Sequence, residues 1–153
     1  MRKRSKYRPR PVNPAAWQQT VEMQHPMTDD QLRDLGFAVH IAIERMRLGC
    51  SIEEDFGALA AAANVSLILC ERGVASDQID LVKRGQDALV LAAERNRRLG
   101  KWGFSGPEMQ AVNAVIALHE QQIAAVPRAL CRDAMREAIR RAQRGDVLSA
   151  VAA

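Results

Sequence analysis

Residues 51–73 read "SIEEDFGALAAAANVSLILCERG", and the architecture of the chain is most legible there. Ser51 and Glu54 have the spacing of a capping box, in which the first side chain takes an N–H of the opening turn and the second reaches back. Ile52, Phe56, Leu59, Ala60, Ala63, Leu67 and Cys70 recur at helical intervals on one face, and Gly73 supplies the residue that best tolerates a left-handed stop. The Ala-rich residues 56–63 permit close helix approach, either within a bundle or across a dimer interface. The segment predicts one helix of an all-α fold.

The flanking sequence repeats this punctuation. Upstream, Thr28 and Gln31 form a T-x-x-Q capping box, and Leu32, Leu35, Val39, Ala42, Ile43 and Met46 follow at helical spacing until Gly49. The short gap to Ser51 predicts a tight corner. Downstream, Ser76 is a candidate cap for a helix striped by Ile79, Val82, Leu89 and Ala93, with Arg95, Arg97 and Arg98 complementing the macrodipole before Gly100. After the loop "GKWGFSGP", Ser105 and Glu108 open a helix with Met109, Val112, Ile116, His119 and Ile123 inward. Pro127 breaks it, and a last helix from Arg128 turns Cys131, Met135, Ala138 and Ala142 inward until Gly145. About five helices over residues 28–145 predict a compact antiparallel bundle.

The ends differ from this body. Residues 1–14, "MRKRSKYRPRPVNP", hold three prolines and read as an extended basic N-terminal arm. Residues 15–27 read as a linker or short helix, capped by Asn13 and ended by His25-Pro26, and residues 146–153 as a C-terminal tail.

Composition narrows the functional classes. The 153 residues are 48% hydrophobic but only 4% aromatic, so small side chains must join the helices. Cys50, Cys70 and Cys131 have neither zinc-ligand spacing nor an even count for a disulfide framework. No apolar run reaches the ~20 residues of a membrane span, and the polar, Pro-rich sequence after the basic start lacks a signal-peptide core. The expectation is a cytoplasmic protein without membrane contact. The formal charge of +4 is unevenly placed: Arg2, Lys3, Arg4, Lys6, Arg8 and Arg10 carry +6, while 16 basic and 18 acidic residues leave the rest at −2.

The start "MRKRSKYRP", with "NVSLILCERG", "VKRGQDAL" and "EMQAVNAVIALHEQQI", resembles a group of small helical proteins encoded by temperate phages and prophages of proteobacteria. The likeness covers the first dozen residues and roughly residues 58–125, agreeing at Asn64, Arg72, Gly73, Gly85, Glu108, Gln110, Asn113 and His119. It implies phage origin, a helical fold and action in the cytoplasm of a bacterial host; it supplies no activity and no catalytic residue.

The chemistry in view is electrostatic. The six cations of the arm suit phosphates, and Tyr7 suits stacking on an exposed base. Alternatives are an acidic protein partner or a solubilising tail. Arg128, Arg132, Arg136, Arg140 and Arg144 fall at fourfold spacing on the last helix, a second candidate basic face, with Asp133 and Glu137 placed to neutralise part of it. Trp102 and Phe104 either anchor their loop or form a partner patch, and Trp17 is placed to clip the arm to the core. His119-Glu120 fails as a zinc motif because Ile123 stands where the second histidine belongs. His119 is expected to be hydrogen-bonded in the core, with Asn113 or Gln110 as partner. No enzyme, metal or cofactor is expected. The expected function is a phage accessory protein binding nucleic acid or a nucleic-acid-containing host complex, with inhibition or modulation of a host factor as the alternative; homo-oligomerisation stays open.

Overall fold

Helix punctuation in the sequence becomes six α-helices in the structure, a computed structural model that describes residues 13–148. They are α1 (Pro14–Met23), α2 (Asp29–Leu48), α3 (Glu53–Glu71), α4 (Ile79–Leu99), α5 (Gly106–Ala125) and α6 (Arg128–Arg144). The described residues contain no strand, only an isolated antiparallel bridge between Pro26 and Pro127. The all-α class is as expected, but the described helices number six rather than about five, with α2 to α6 falling within residues 28–145. The sixth, α1, lies where a linker or short helix was expected, and Asn13 caps it by accepting from the Ala15 N–H at 3.1 Å.

The caps explain most of the boundaries. Thr28 Oγ1 accepts from Gln31 N–H at 3.4 Å while Gln31 Oε1 accepts from Thr28 N–H at 3.1 Å, closing the expected box. Gly49 (φ 70°) and Gly100 (φ 65°) end α2 and α4 in the left-handed conformation that side chains disfavour. Two expected caps are displaced. At α3 the acid that reaches back is Asp55, not Glu54: its Oδ2 accepts from Ile52 N–H at 3.0 Å and from Ser51 Oγ at 3.3 Å. Helix α3 starts at Glu53, so Ser51 lies outside the turn it was expected to cap. Ser76 does not cap α4 either. Ala75 adopts φ 59° and leads into a 3-10 turn, Ser76–Gln78, before α4 begins at Ile79 without a side-chain cap.

Helix α3 is central. The sequence suggested one buried stripe, but twelve of its residues are buried and they lie all around the helix. Such a helix needs neighbours on every side. Phe56, Leu59, Ala60 and Ala63 join α2, α4 and α5 through Met46, Val82, Leu89, Val112 and Ile116. Val65, Ile68 and Leu69 instead meet Ile123, Cys131, Ala134 and Ala138 of α5 and α6. Small residues permit this density. A Cβ at Gly85 would stand 2.2 Å from Val115 Cγ2, so α4 can lie this close to α5 only because that side chain is absent.

Polar core groups are tied to backbone. Gln122 donates through Nε2 to Val74 O at 2.9 Å, with Cys70 Sγ and Ser66 O also in reach, while its Oε1 has no partner among the described residues. Asn64 Nδ2 donates to Leu148 O at 2.7 Å, and Asn64 Oδ1 accepts from Gln86 Nε2 at 2.9 Å. The first residues of the expected tail therefore fold back, and Leu148 packs on the core.

Candidate nucleic-acid interface

The N-terminal sequence builds a helix with no buried face. Every residue of α1 remains at least partly exposed, and Trp17 is 61% exposed. The expectation that Trp17 clips the chain to the core is therefore corrected: α1 is held at its far end, by backbone. The Arg128 N–H donates to His25 O at 3.1 Å, and Arg128 Nε donates to Pro26 O at 3.2 Å. Proline at positions 26 and 127 stops one helix and opens the other, so the end of α1 and the start of α6 meet.

From that junction α1 runs back along α6. Gln19, Thr20, Met23 and Gln24 face Ala129, Arg132 and Arg136 across an open cleft of about 470 Å³. Asn13, where the basic arm joins, lies at the end of α1 remote from the Pro26–Pro127 bridge. Ten helical residues rise about 15 Å, which separates Asn13 from the junction by about that distance. The arm residues themselves, Arg2, Lys3, Arg4, Lys6, Tyr7, Arg8 and Arg10, lie outside the described residues.

The five arginines at fourfold spacing have different surroundings. Arg128 is engaged with the Pro26 carbonyl. Arg132 pairs with Asp133 at 3.1 Å. Glu137 gathers the next turn: it pairs with Arg140 at 2.6 Å, with Arg141 at 2.9 Å and more distantly with Arg144 at 3.8 Å. Hydrogen bonds from Arg141 and Arg140 hold its carboxyl below the usual carboxylate range. Arg141 also reaches Glu71 of α3 at 2.7 Å, and Arg144 reaches Asp146 at 3.1 Å. Arg136, exposed at the cleft, has no carboxylate partner among the described residues. Asp133 and Glu137 thus quiet part of the strip, and the least compensated cation stands beside α1. Sequence periodicity could not single out Arg136, nor Gln19, Thr20 and Gln24, because the pairing of α1 with α6 spans more than a hundred residues.

The other singled-out side chains lie elsewhere. Trp102 stacks on Phe56, with ring centroids 4.7 Å apart and 22° between planes, and Phe104 also packs partly buried on the core. The loop between α4 and α5 is anchored by both, and by Arg95, which donates to Gly103 O at 2.6 Å and to Glu108 Oε1 at 2.7 Å. Arg95 is therefore a loop clip rather than a simple macrodipole charge.

His119 meets Ser66, with Nδ1 and Oγ 3.3 Å apart; Gln110 and Asn113, its expected partners, are exposed. Burial lowers its pKa to about 4. Its neighbour Glu120 pairs with His40 at 2.6 Å, so the two residues of the His-Glu pair serve separate contacts. Burial raises the Cys70 and Cys131 thiols above their ordinary pKa, whereas Cys50 is exposed. Among the described residues no group of three or more His, Cys, Asp or Glu side chains is placed to hold a metal ion, and no helix is long and apolar enough to cross a membrane. No protein-family model, curated protein or solved structure matches the chain.

Proposed function

We infer that the chain is a non-enzymatic phage accessory protein that binds nucleic acid, or a host complex containing it, through the basic arm and the neighbouring arginines of α6. The observation carrying this reading is the position of the charge. Six cations occupy the first ten residues of a chain whose remainder is slightly acidic, and they lead in sequence into α1, whose Gln19, Thr20, Met23 and Gln24 share a cleft with Arg136. Phosphate contacts by Lys and Arg release condensed counterions, which gives affinity without base specificity. The bundle then acts as an adaptor. Phage origin rests on the resemblance of the start and of the three helical segments to phage-encoded proteins, and the host cytoplasm is the corresponding location.

Trp17 favours a second reading. It is 61% exposed, one turn from the exposed Val21, and aromatic side chains of this kind anchor protein partners. A host protein captured by α1, with the arm lying in an acidic or nucleic-acid-binding cleft, would make the chain an inhibitor or modulator of a host factor. Pull-down from bacterial lysate before and after nuclease treatment separates the two. Loss of all captured material with nuclease supports the first reading; retention of one protein that depends on Trp17 supports the second.

A further inference from the structure

An apolar groove of about 440 Å³ opens between α3 and α6, on a side of α6 that α1 does not cover. Its floor is small, formed by Gly57, Ala60 and Ala61, and its wall is a ridge of Met135 and Ile139, which are 49% and 53% exposed. One surface therefore presents both a ridge and a channel. This combination is what a two-fold interface requires, since each patch must fit a copy of itself.

The charges around it have the same order. Glu53 and Glu54, one turn before Gly57 and on the same side of α3, are exposed and have no ion pair among the described residues. Arg132 and Arg136 lie one turn before Met135 and Ile139 along the outer edge of α6. A purely acidic ligand would meet Glu53 and Glu54, and a purely basic one would meet the arginines. An occupant with an apolar ridge flanked by cations, and a channel headed by acids, is complementary to both; this chain carries that surface.

We propose that the α3–α6 groove is the self-docking surface of a two-fold symmetric dimer, in which Met135 and Ile139 of each copy enter the Gly57–Ala61 channel of the other. Ridges of one helix pair then fill the grooves of the next, as in ordinary helix packing. Each copy offers one groove and one ridge, so the dimer is expected to form and dissociate with concentration.

Sedimentation velocity on nuclease-treated full-length protein, from low to high micromolar concentration, tests this. The expected result is a monomer–dimer equilibrium that Ile139→Glu and Ala61→Glu each shift to monomer, with unchanged helical circular dichroism because both side chains are exposed. A monomer at every concentration would overturn the proposal. So would a dimer that survives both substitutions, or one that appears only after residues 149–153 are removed, since the groove would then be occupied by the chain's own end.

Discussion

Arg128 and His25, 103 positions apart, are joined by a backbone hydrogen bond of 3.1 Å that fixes the end of α1 against the start of α6. This bond brings an otherwise solvent-facing helix alongside the arginines of α6, and it makes Arg136 the side chain to test. Replacing Arg136 with Ala is expected to weaken binding to labelled DNA or RNA severalfold. It should also reduce the log-log salt slope by about 1, as one lost phosphate contact does. Thermal stability should not change. Fluorescence anisotropy across a salt series measures both effects.

Gly85 and Val115 set the spacing of α4 and α5. Alanine at 85 gains helix propensity of up to about 1 kcal/mol over glycine. Its Cβ, however, would fall 2.2 Å from a branched side chain and 3.3 Å from the Ala111 carbonyl. The clash prevails, and Gly85→Ala is expected to lower stability by about 1–3 kcal/mol in urea denaturation. In a Val115→Ala background the same change should cost much less, and equal costs in both backgrounds would show that Val115 is not the obstruction.

Glu108 is held below its ordinary carboxylate range first by the Arg95 hydrogen bond, with the Ser105 N–H also contributing. A depressed carboxylate stabilises the fold above its unfolded value of 4.5, and that contribution is lost as the pH falls through the folded value. Glu108→Gln is therefore expected to cost about 1–2 kcal/mol at neutral pH and progressively less in acid. Trp102 emission during denaturation measures the difference, because the clip holds the loop in which Trp102 lies.

His119 has the opposite charge type and the same pH direction. Its imidazole is kept neutral in the fold, with a pKa of about 4 against 6.5 when unfolded. Stability is full above the unfolded value and falls as the pH drops from 6.5 to 4, below which the loss levels off. The wild type should lose roughly 2–3 kcal/mol over that window beyond what His119→Gln loses. In nuclear magnetic resonance titration the His119 ring should remain neutral well below its unfolded pKa of 6.5, becoming charged only near pH 4.

These side chains also show where sequence was sufficient. Thr28–Gln31, Gly49, Gly100, Pro127 and Gly145 are local signals, each acting within a turn of itself, and they mark real helix boundaries. Asp55 was missed because Glu54 has the right chemistry one position away, and only the true start of α3 decides between them. The partners of His119, Arg95, Arg128 and Gln122 lie on other elements or at distant loop positions. No periodicity encodes Ser66 beside His119 or Gly103 beside Arg95; such contacts exist only after α3 is surrounded. Trp17 shows the converse, since its apolar ring suggested burial but α1 is tethered at its other end.

The contribution of the basic arm is tested most directly by the salt dependence of nucleic-acid binding, compared between the full chain and one lacking residues 1–10. With six phosphate contacts from the arm, the log-log slope for duplex DNA is expected to be steeper in the full chain by about 5. The shortened chain should retain only the weak residual binding of the α6 arginines. Equal slopes and affinities for the two chains, or no salt-sensitive binding by the full chain to DNA or RNA, would contradict the account.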